Sequence, residues 1–250
     1  DFTNETLYSG ETRRATNFDG KQVGFGPRAI QLGTAWFFNK RIFEEQNLGD
    51  PYEMVKNKTW TWDTVEEILA KATIRKADGT VEQWGMNSWT GFSFFGSMAG
   101  ANGGSLVSFD NEGVPHQNLS DPRTVEALEK MYDWAFVKKI ADINDGTRQW
   151  DAAMKEFAKG NVAICLGTNK MLQIAQETPM EDEFGVIYAP LGPGQTEYTV
   201  TETRGDMYFI PTTYESMADK LLLLMDDLFI TSDGATQEDR IMEKYASQVR

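Results

Sequence analysis

The chain has a single cysteine and a single histidine in 250 residues. One thiol excludes an intrachain disulfide and any zinc site built from paired cysteines. Cys165 lies between Ile164 and Leu166, where it reads as a small core hydrophobe. One imidazole, His116, excludes a histidine-rich metal site and reads as a loop residue. Long hydrophobic runs are missing too: the longest strongly apolar stretch, Leu221–Met225, is far too short to cross a bilayer. Basic runs are absent, and 38 acids against 24 bases leave a net charge of −14. Nucleic acid and anionic membrane need clustered Lys and Arg, so neither is expected as a partner. The acidity reads as a solubilised surface and names no substrate. The opening D-F-T-N-E-T has neither a methionine nor a signal-peptide pattern, which predicts a piece of a longer protein.

What is present is ordinary for a globular chain. Hydrophobic residues at 40% and charged ones at 25% support a buried core in one large or two modest domains. Val23–Phe25 reads as a short strand ended by Gly26-Pro27, because proline has no N–H to continue a ladder. Leu32–Asn39 holds Trp36, Phe37 and Phe38, a β-favouring run. Arg41–Glu45 reads as a helical turn. Trp62–Ile74 predicts a helix with Thr61 as N-cap and Val65, Ile68, Leu69 and Ala72 on one face. Gly96–Gly104 predicts a segment that begins as a helix and ends in a tight turn. Asp121-Pro122 opens another helix, with Val125, Leu128, Met131, Tyr132 and Ala135 as its apolar stripe. Further helices are expected at Trp150–Ala158, Asn169–Glu177 and Tyr214–Ile230. Strands are expected at Val162–Leu166, Phe184–Tyr188 and Met207–Ile210. Strands interleaved with longer helices make an α/β protein.

Five segments, taken in order, carry a resemblance. They are G-K-Q-V-G-F-G-P with F-N-K-R-I-F-E-E-Q-N-L from Gly20 to Leu48; T-W-D at Thr61–Asp63; Trp150–Met171, where a helix turns through Gly160 into a strand; F-G-V-I-Y-A-P-L-G-P-G from Phe184; and Arg204 to Gln237. The series resembles the extracellular solute-binding proteins, family 1, the maltose-binding group that serves ABC sugar importers. The resemblance implies a type II periplasmic-binding-protein fold. This chain would supply the second lobe, the crossing strands and part of the first lobe. The implied boundaries are 1–34 for a lead-in and crossing strand, 35–198 for the second lobe, and 199–250 for the return crossing and a first-lobe helix. It further implies a monomer without cofactor or catalysis that captures a sugar in an inter-lobe cleft. An ABC permease would be its partner, and its location would be extracytoplasmic, as a cell-surface lipoprotein or in the periplasm.

Sugars are held by aromatic faces on their C–H patches and by planar polar groups on their hydroxyls. The W-T-G-F-S-F-F segment supplies Trp89, Phe92 and Phe94 as candidates, at the place where relatives carry an aromatic cleft segment. Arg28 and Gln31 follow the crossing strand, where the family often makes a polar contact. Asn169 stands where relatives often carry tryptophan, so an amide replaces the expected stacking ring. Arg204 and Asp206 flank Gly205, which permits close backbone approach. For each the plain alternative is core packing, a helix cap or a loop salt bridge.

Other chemistries find less support. Neither G-F-G-P nor G-P-G-Q has the spacing or lysine of a phosphate loop, and no G-x-S-x-G elbow occurs. The R-G-D at 204–206 is only a tripeptide match. Two carboxylates for glycoside hydrolysis can come from anywhere in a chain with 38 acids. A carbohydrate-active enzyme domain and a sensory or interaction domain on the same fold therefore stand as alternatives.

Overall fold

The structure, a computed structural model, describes residues 10–18, 20–26, 34–112, 114–168, 170–178, 180–199 and 207–229. The chain divides into two compact units, one of residues 1–31, 109–114 and 203–250, the other of residues 32–108 and 115–202.

In the first unit, helix α1 (Gly10–Ala15) precedes a hairpin of β1 (Asn17–Phe18) and β2 (Lys21–Gln22). Phe25 pairs with Tyr208 in an antiparallel bridge, each backbone N–H donating to the other's carbonyl at 3.1 and 2.8 Å. The strands expected at Val23–Phe25 and Met207–Ile210 therefore shrink to this one bridge. The helix expected from Tyr214 instead begins with a 3₁₀ segment, Thr212–Met217.

The second unit starts with β3 (Thr34–Asn39), α2 (Lys40–Glu45), α3 (Pro51–Lys56) and α4 (Trp62–Ala72). Then come β4 (Ile74–Arg75), β5 (Val81–Ser88), α5 (Gly91–Ala101), and a hairpin of β6 (Val107–Phe109) and β7 (Pro115–Gln117). Exposed His116 lies on β7 and not in a loop. Helix α6 (Pro122–Tyr132) runs into a π-turn, Asp133–Val137, and then β8 (Ala141–Ile143). The unit ends with α7 (Ala152–Ala158), β9 (Val162–Thr168), α8 (Lys170–Glu177) and β10 (Phe184–Ile187). The first unit resumes with α9 (Ala218–Phe229).

Side-chain caps set several helix starts. Asn39, Asp50, Thr61, Thr90 and Asp121 each accept a backbone N–H of the first turn, satisfying donors that have no partner inside the helix.

The sheet runs β10-β3-β9-β5-β4, with β8 also paired to β5. Strand β3 is antiparallel to both β10 and β9, whereas β5 is parallel to β9 and to β8. Thr34 stands opposite Thr168, and Ser88 opposite both Leu166 and Ile143. The carboxyl ends of β5, β8 and β9 therefore gather at one edge of the sheet, the position where open α/β sheets bind ligands.

Strand β3 is buried on both faces. Trp36 and Phe38 enter one core cluster with Trp60, Trp62, Phe94 and Trp134; Ala35 and Phe37 enter another with Met154, Phe157 and Cys165. That two-sided burial explains its unbroken apolar run. Two of the buried indoles find acceptors: Trp36 donates to Ser97 Oγ at 2.9 Å and Trp60 to the Tyr188 carbonyl at 2.9 Å.

Helix α6 is rotated from the expected phase. It buries Thr124 and Ala127 and leaves Val125, Leu128 and Tyr132 exposed. Close packing against the chain after α5 decides this. Thr124 donates its hydroxyl to the Ser105 carbonyl at 3.0 Å, and a Cβ on Gly104 would meet that hydroxyl at 2.7 Å. Any side chain at position 104 would therefore collide with α6.

Candidate functional site

A groove of about 820 Å³ lies within the second unit, beside the carboxyl ends of β5 and β8. Trp84, Trp89, Phe92, Phe136 and Trp150 line it with aromatic surface. Asp142, Asn144, Asp145 and Arg148 line it with polar groups, and Lys139 is present as well. A smaller depression of about 400 Å³ lies by Trp36, Ser97 and Tyr188. Of these two, the larger combines several rings with charged side chains; a third depression of about 510 Å³, at Phe38, Phe43 and Tyr52, also carries charge but lies away from the parallel strand ends.

The aromatic wall follows from the end of β5. Trp89 directly follows the strand, and its backbone N–H donates to the Leu166 carbonyl at 3.1 Å. Thr90 then caps α5, accepting the Ser93 N–H at 3.0 Å. Helical rotation from that cap separates two phenylalanines. Phe92 is 72% exposed and faces the groove, whereas Phe94 is fully buried, with ring contacts to Trp36 and Trp134. Phe94 is thus a core residue that presents no ring face to the groove, contrary to the expectation of a ligand contact. Phe136 comes from the π-turn and stands 5.2 Å from the Tyr132 ring, centre to centre. Trp150, half exposed, precedes α7.

The polar wall is the loop after β8. Asn144 is 5% exposed, and its backbone N–H donates to the Ser88 carbonyl at 3.1 Å. Its side chain donates to the carbonyls of Arg148 and Gln149 and accepts from the N–H groups of Gly146 and Arg148. Gly146 turns the loop at φ +92°, a conformation that favours glycine. Arg148 donates from Nη1 and Nη2 to Asp142 Oδ2 and Oδ1 at 2.7 and 3.0 Å. That hydrogen bond to Asp142 raises the guanidinium pKa against the opposing effect of burial. Asp145 accepts from the hydroxyl and the N–H of Thr147, and these bonds hold its pKa below the usual value.

Of the residues singled out in the sequence, Trp89 and Phe92 come together in the groove. Arg28, Gln31, Asn169, Arg204 and Asp206 lie outside the described residues. Sequence reasoning missed Trp84, Phe136, Trp150 and the Asp142–Arg148 loop. The N-D-G turn signature at 144–146, just ahead of a tryptophan, was the available signal. Among the described residues, no group of three or more His, Cys, Asp or Glu is placed to hold a metal ion. Among them, no helix is long and apolar enough to cross a membrane.

An α/β sheet with parallel strand ends beside an aromatic and polar groove defines a mixed α/β protein of the type II periplasmic-binding-protein kind. The chain belongs to the bacterial extracellular solute-binding proteins, matching that family over residues 16–217. Among solved structures it is similar to CpMnBP1 with mannotriose bound, at 19% identity and a TM-score of 0.63, covering 90% of this chain and 56% of that one. It is also similar to an ABC substrate-binding protein from Listeria monocytogenes in complex with cycloalternan, at 23% identity and a TM-score of 0.55, covering 78% and 45%. A third is the maltose/maltodextrin-binding domain MalE from Bdellovibrio bacteriovorus bound to maltotriose, at 17% identity and a TM-score of 0.54, covering 82% and 50%. The chain thus spans about half the length of each of these structures. No curated protein sequence matches it.

Proposed function

We propose that this chain is part of a carbohydrate-binding receptor of an ABC importer, located outside the cytoplasmic membrane, and that it binds its ligand without altering it. The observation that carries the reading is the groove: Trp89, Phe92, Phe136 and Trp150 beside a fixed polar loop at the ends of parallel strands. Aromatic rings supply flat apolar surface to sugar C–H patches. Carboxylate, amide and guanidinium groups supply directional bonds to hydroxyls. Family membership and sugar-bound structural neighbours support the same ligand class. In this reading residues 35–198 form the second lobe, and 1–34 and 199–250 belong to the crossings and the first lobe. Arg28, Gln31, Asn169, Arg204 and Asp206 remain candidate contacts, to be tested one substitution at a time.

Glycoside hydrolysis needs a carboxylic acid whose pKa is raised so that it holds a proton near neutrality. Asp145 is shifted the opposite way, so it is unsuited to the proton donor's role. The deciding experiment is calorimetric titration of the full-length protein with mannobiose, mannotriose, maltotriose and tagatose, followed by chromatography of each sugar after incubation. Saturable binding with the sugar recovered intact is the expected result. Turnover would end the non-catalytic reading, and no heat with any sugar would end the carbohydrate reading.

A further inference from the structure

Two acids, Asp142 and Asp145, and two bases, Lys139 and Arg148, line the groove, so its formal charge balances. Arg148 is not poised for an anion. Both terminal nitrogens already engage Asp142, at 2.7 and 3.0 Å, in a fork-to-fork pair. This planar edge is the one that would otherwise grip a carboxylate or phosphate on a ligand. The pair is partly shielded, with the Asp142 side chain 25% and the Arg148 side chain 38% exposed.

The pair is also held in place before any ligand arrives. Arg148 is bound through its own backbone, its N–H and carbonyl both engaged by the buried Asn144 side chain. Asp142 is part of β8, paired in register with Asn87 on β5. A polar group fixed by such supports presents a defined geometry at low ordering cost. The carboxylate keeps lone pairs that Arg148 does not use, and the guanidinium keeps N–H groups that Asp142 does not use. Two neighbouring hydroxyls on one sugar ring match that arrangement. One donates to a carboxylate oxygen while the next accepts from a guanidinium N–H.

Resting on the carbohydrate reading, we propose that the groove selects uncharged glycans, with the Asp142–Arg148 pair reading a vicinal diol and excluding uronates and phosphorylated sugars. An anionic ring at this position displaces Asp142 from Arg148 or lies against the carboxylates of Asp142 and Asp145. Like-charge juxtaposition of that kind is how interfaces reject wrong partners.

The test titrates the full-length protein with mannotriose, maltotriose and trigalacturonate, in its natural form and as Asp142→Asn and Arg148→Met. The natural protein is expected to bind a neutral trisaccharide at least roughly tenfold more tightly than trigalacturonate. Asp142→Asn frees Arg148, so neutral binding falls roughly tenfold while trigalacturonate binding rises by a similar factor. Arg148→Met loses neutral binding and gains nothing for the uronate. A gain of uronate affinity cannot come from misfolding, so that arm holds even where a variant is less stable. Equal binding of neutral and anionic sugars by the natural protein overturns the selectivity and leaves the carbohydrate reading standing. So does an Asp142→Asn variant unchanged toward both. Binding of no sugar of either charge overturns the carbohydrate reading, and the selectivity with it.

Discussion

Trp134 donates its indole N–H to Glu66 Oε2 at 2.7 Å, and that bond ties the π-turn to α4. Lys130 and Lys138 bond the same carboxylate, at 3.2 and 2.5 Å. Burial alone would raise the Glu66 pKa, but bonds from Lys138, Trp134 and Lys130 together outweigh it and lower the value from 4.5 to about 2. The folded value lies below the unfolded one. The stability Glu66 contributes is therefore complete above pH 4.5 and is lost as pH falls toward about 2. Glu66→Ala is expected to cost about 1–3 kcal/mol at neutral pH, because the buried Trp134 N–H loses a charged acceptor. Glu66→Gln keeps an acceptor for Trp134 and should flatten this part of the acid profile. Urea unfolding across pH 2 to 7 measures both; an unchanged acid profile in Glu66→Gln would count against the assignment.

Phe92 and Phe94 are two residues apart and should respond oppositely. Phe92→Ala removes a ring that is 72% exposed, so the melting temperature should hardly change. Sugar affinity should fall roughly three- to tenfold, the size expected when a few tens of Å² of apolar contact are lost. Phe94→Ala empties a fully buried site and should cost about 3–5 kcal/mol of stability. Parallel thermal denaturation and calorimetry read the contrast, and a large stability loss at Phe92 would refute its placement.

Gly85 marks a close approach of strand to helix. A Cβ there would meet the Leu69 carbonyl oxygen at 2.3 Å, and that backbone cannot swing aside as a side chain can. Gly85→Ala should therefore destabilise by about 1–3 kcal/mol, the usual range for overpacking. Gly79→Ala is its control for space, since a Cβ at Gly79 meets nothing within 4 Å. Any cost at Gly79 reflects its φ of +85° alone.

Cys165 is fully buried in β9, and burial pushes its thiol pKa well up. The native chain should not react with a thiol reagent such as Ellman's at neutral pH, and denaturation should release one thiol per chain. Rapid labelling without denaturant would mean that this strand opens.

The second unit was legible in the sequence where local chemistry agreed with burial. Thr61 and Asp121-Pro122 marked helix starts, and the Trp36–Phe38 run marked a strand buried on both faces. The α6 stripe misled because the sequence rewards large apolar residues, whereas tight packing selected Thr124 and Ala127 for the inner face. Size complementarity between α6 and the turn after α5 is a property of two segments. Neither segment reveals it alone.

The candidate site was half legible. The W-T-G-F-S-F-F segment was recognised as aromatic, but only the cap at Thr90 fixes which phenylalanine faces outward. With the helix start expected at Gly96, the rotation that separates Phe92 from Phe94 could not be read. Asp142 and Arg148 were hidden for another reason. Their meaning depends on a fork-to-fork contact and on the parallel pairing of β8 with β5. Charge and spacing along the chain do not encode either.

Both walls of the groove hang from the same strand end: Ser88 holds Asn144 through its carbonyl, and the next residue, Trp89, is anchored to Leu166. Rings and charges are thereby mounted on one rigid frame, so an arriving ligand has little left to arrange. Encounter rates should then vary little from one ligand to another, and differences in affinity should appear as differences in how long each stays. Stopped-flow measurements across several ligands would show that pattern as a spread in escape rates around a nearly common capture rate.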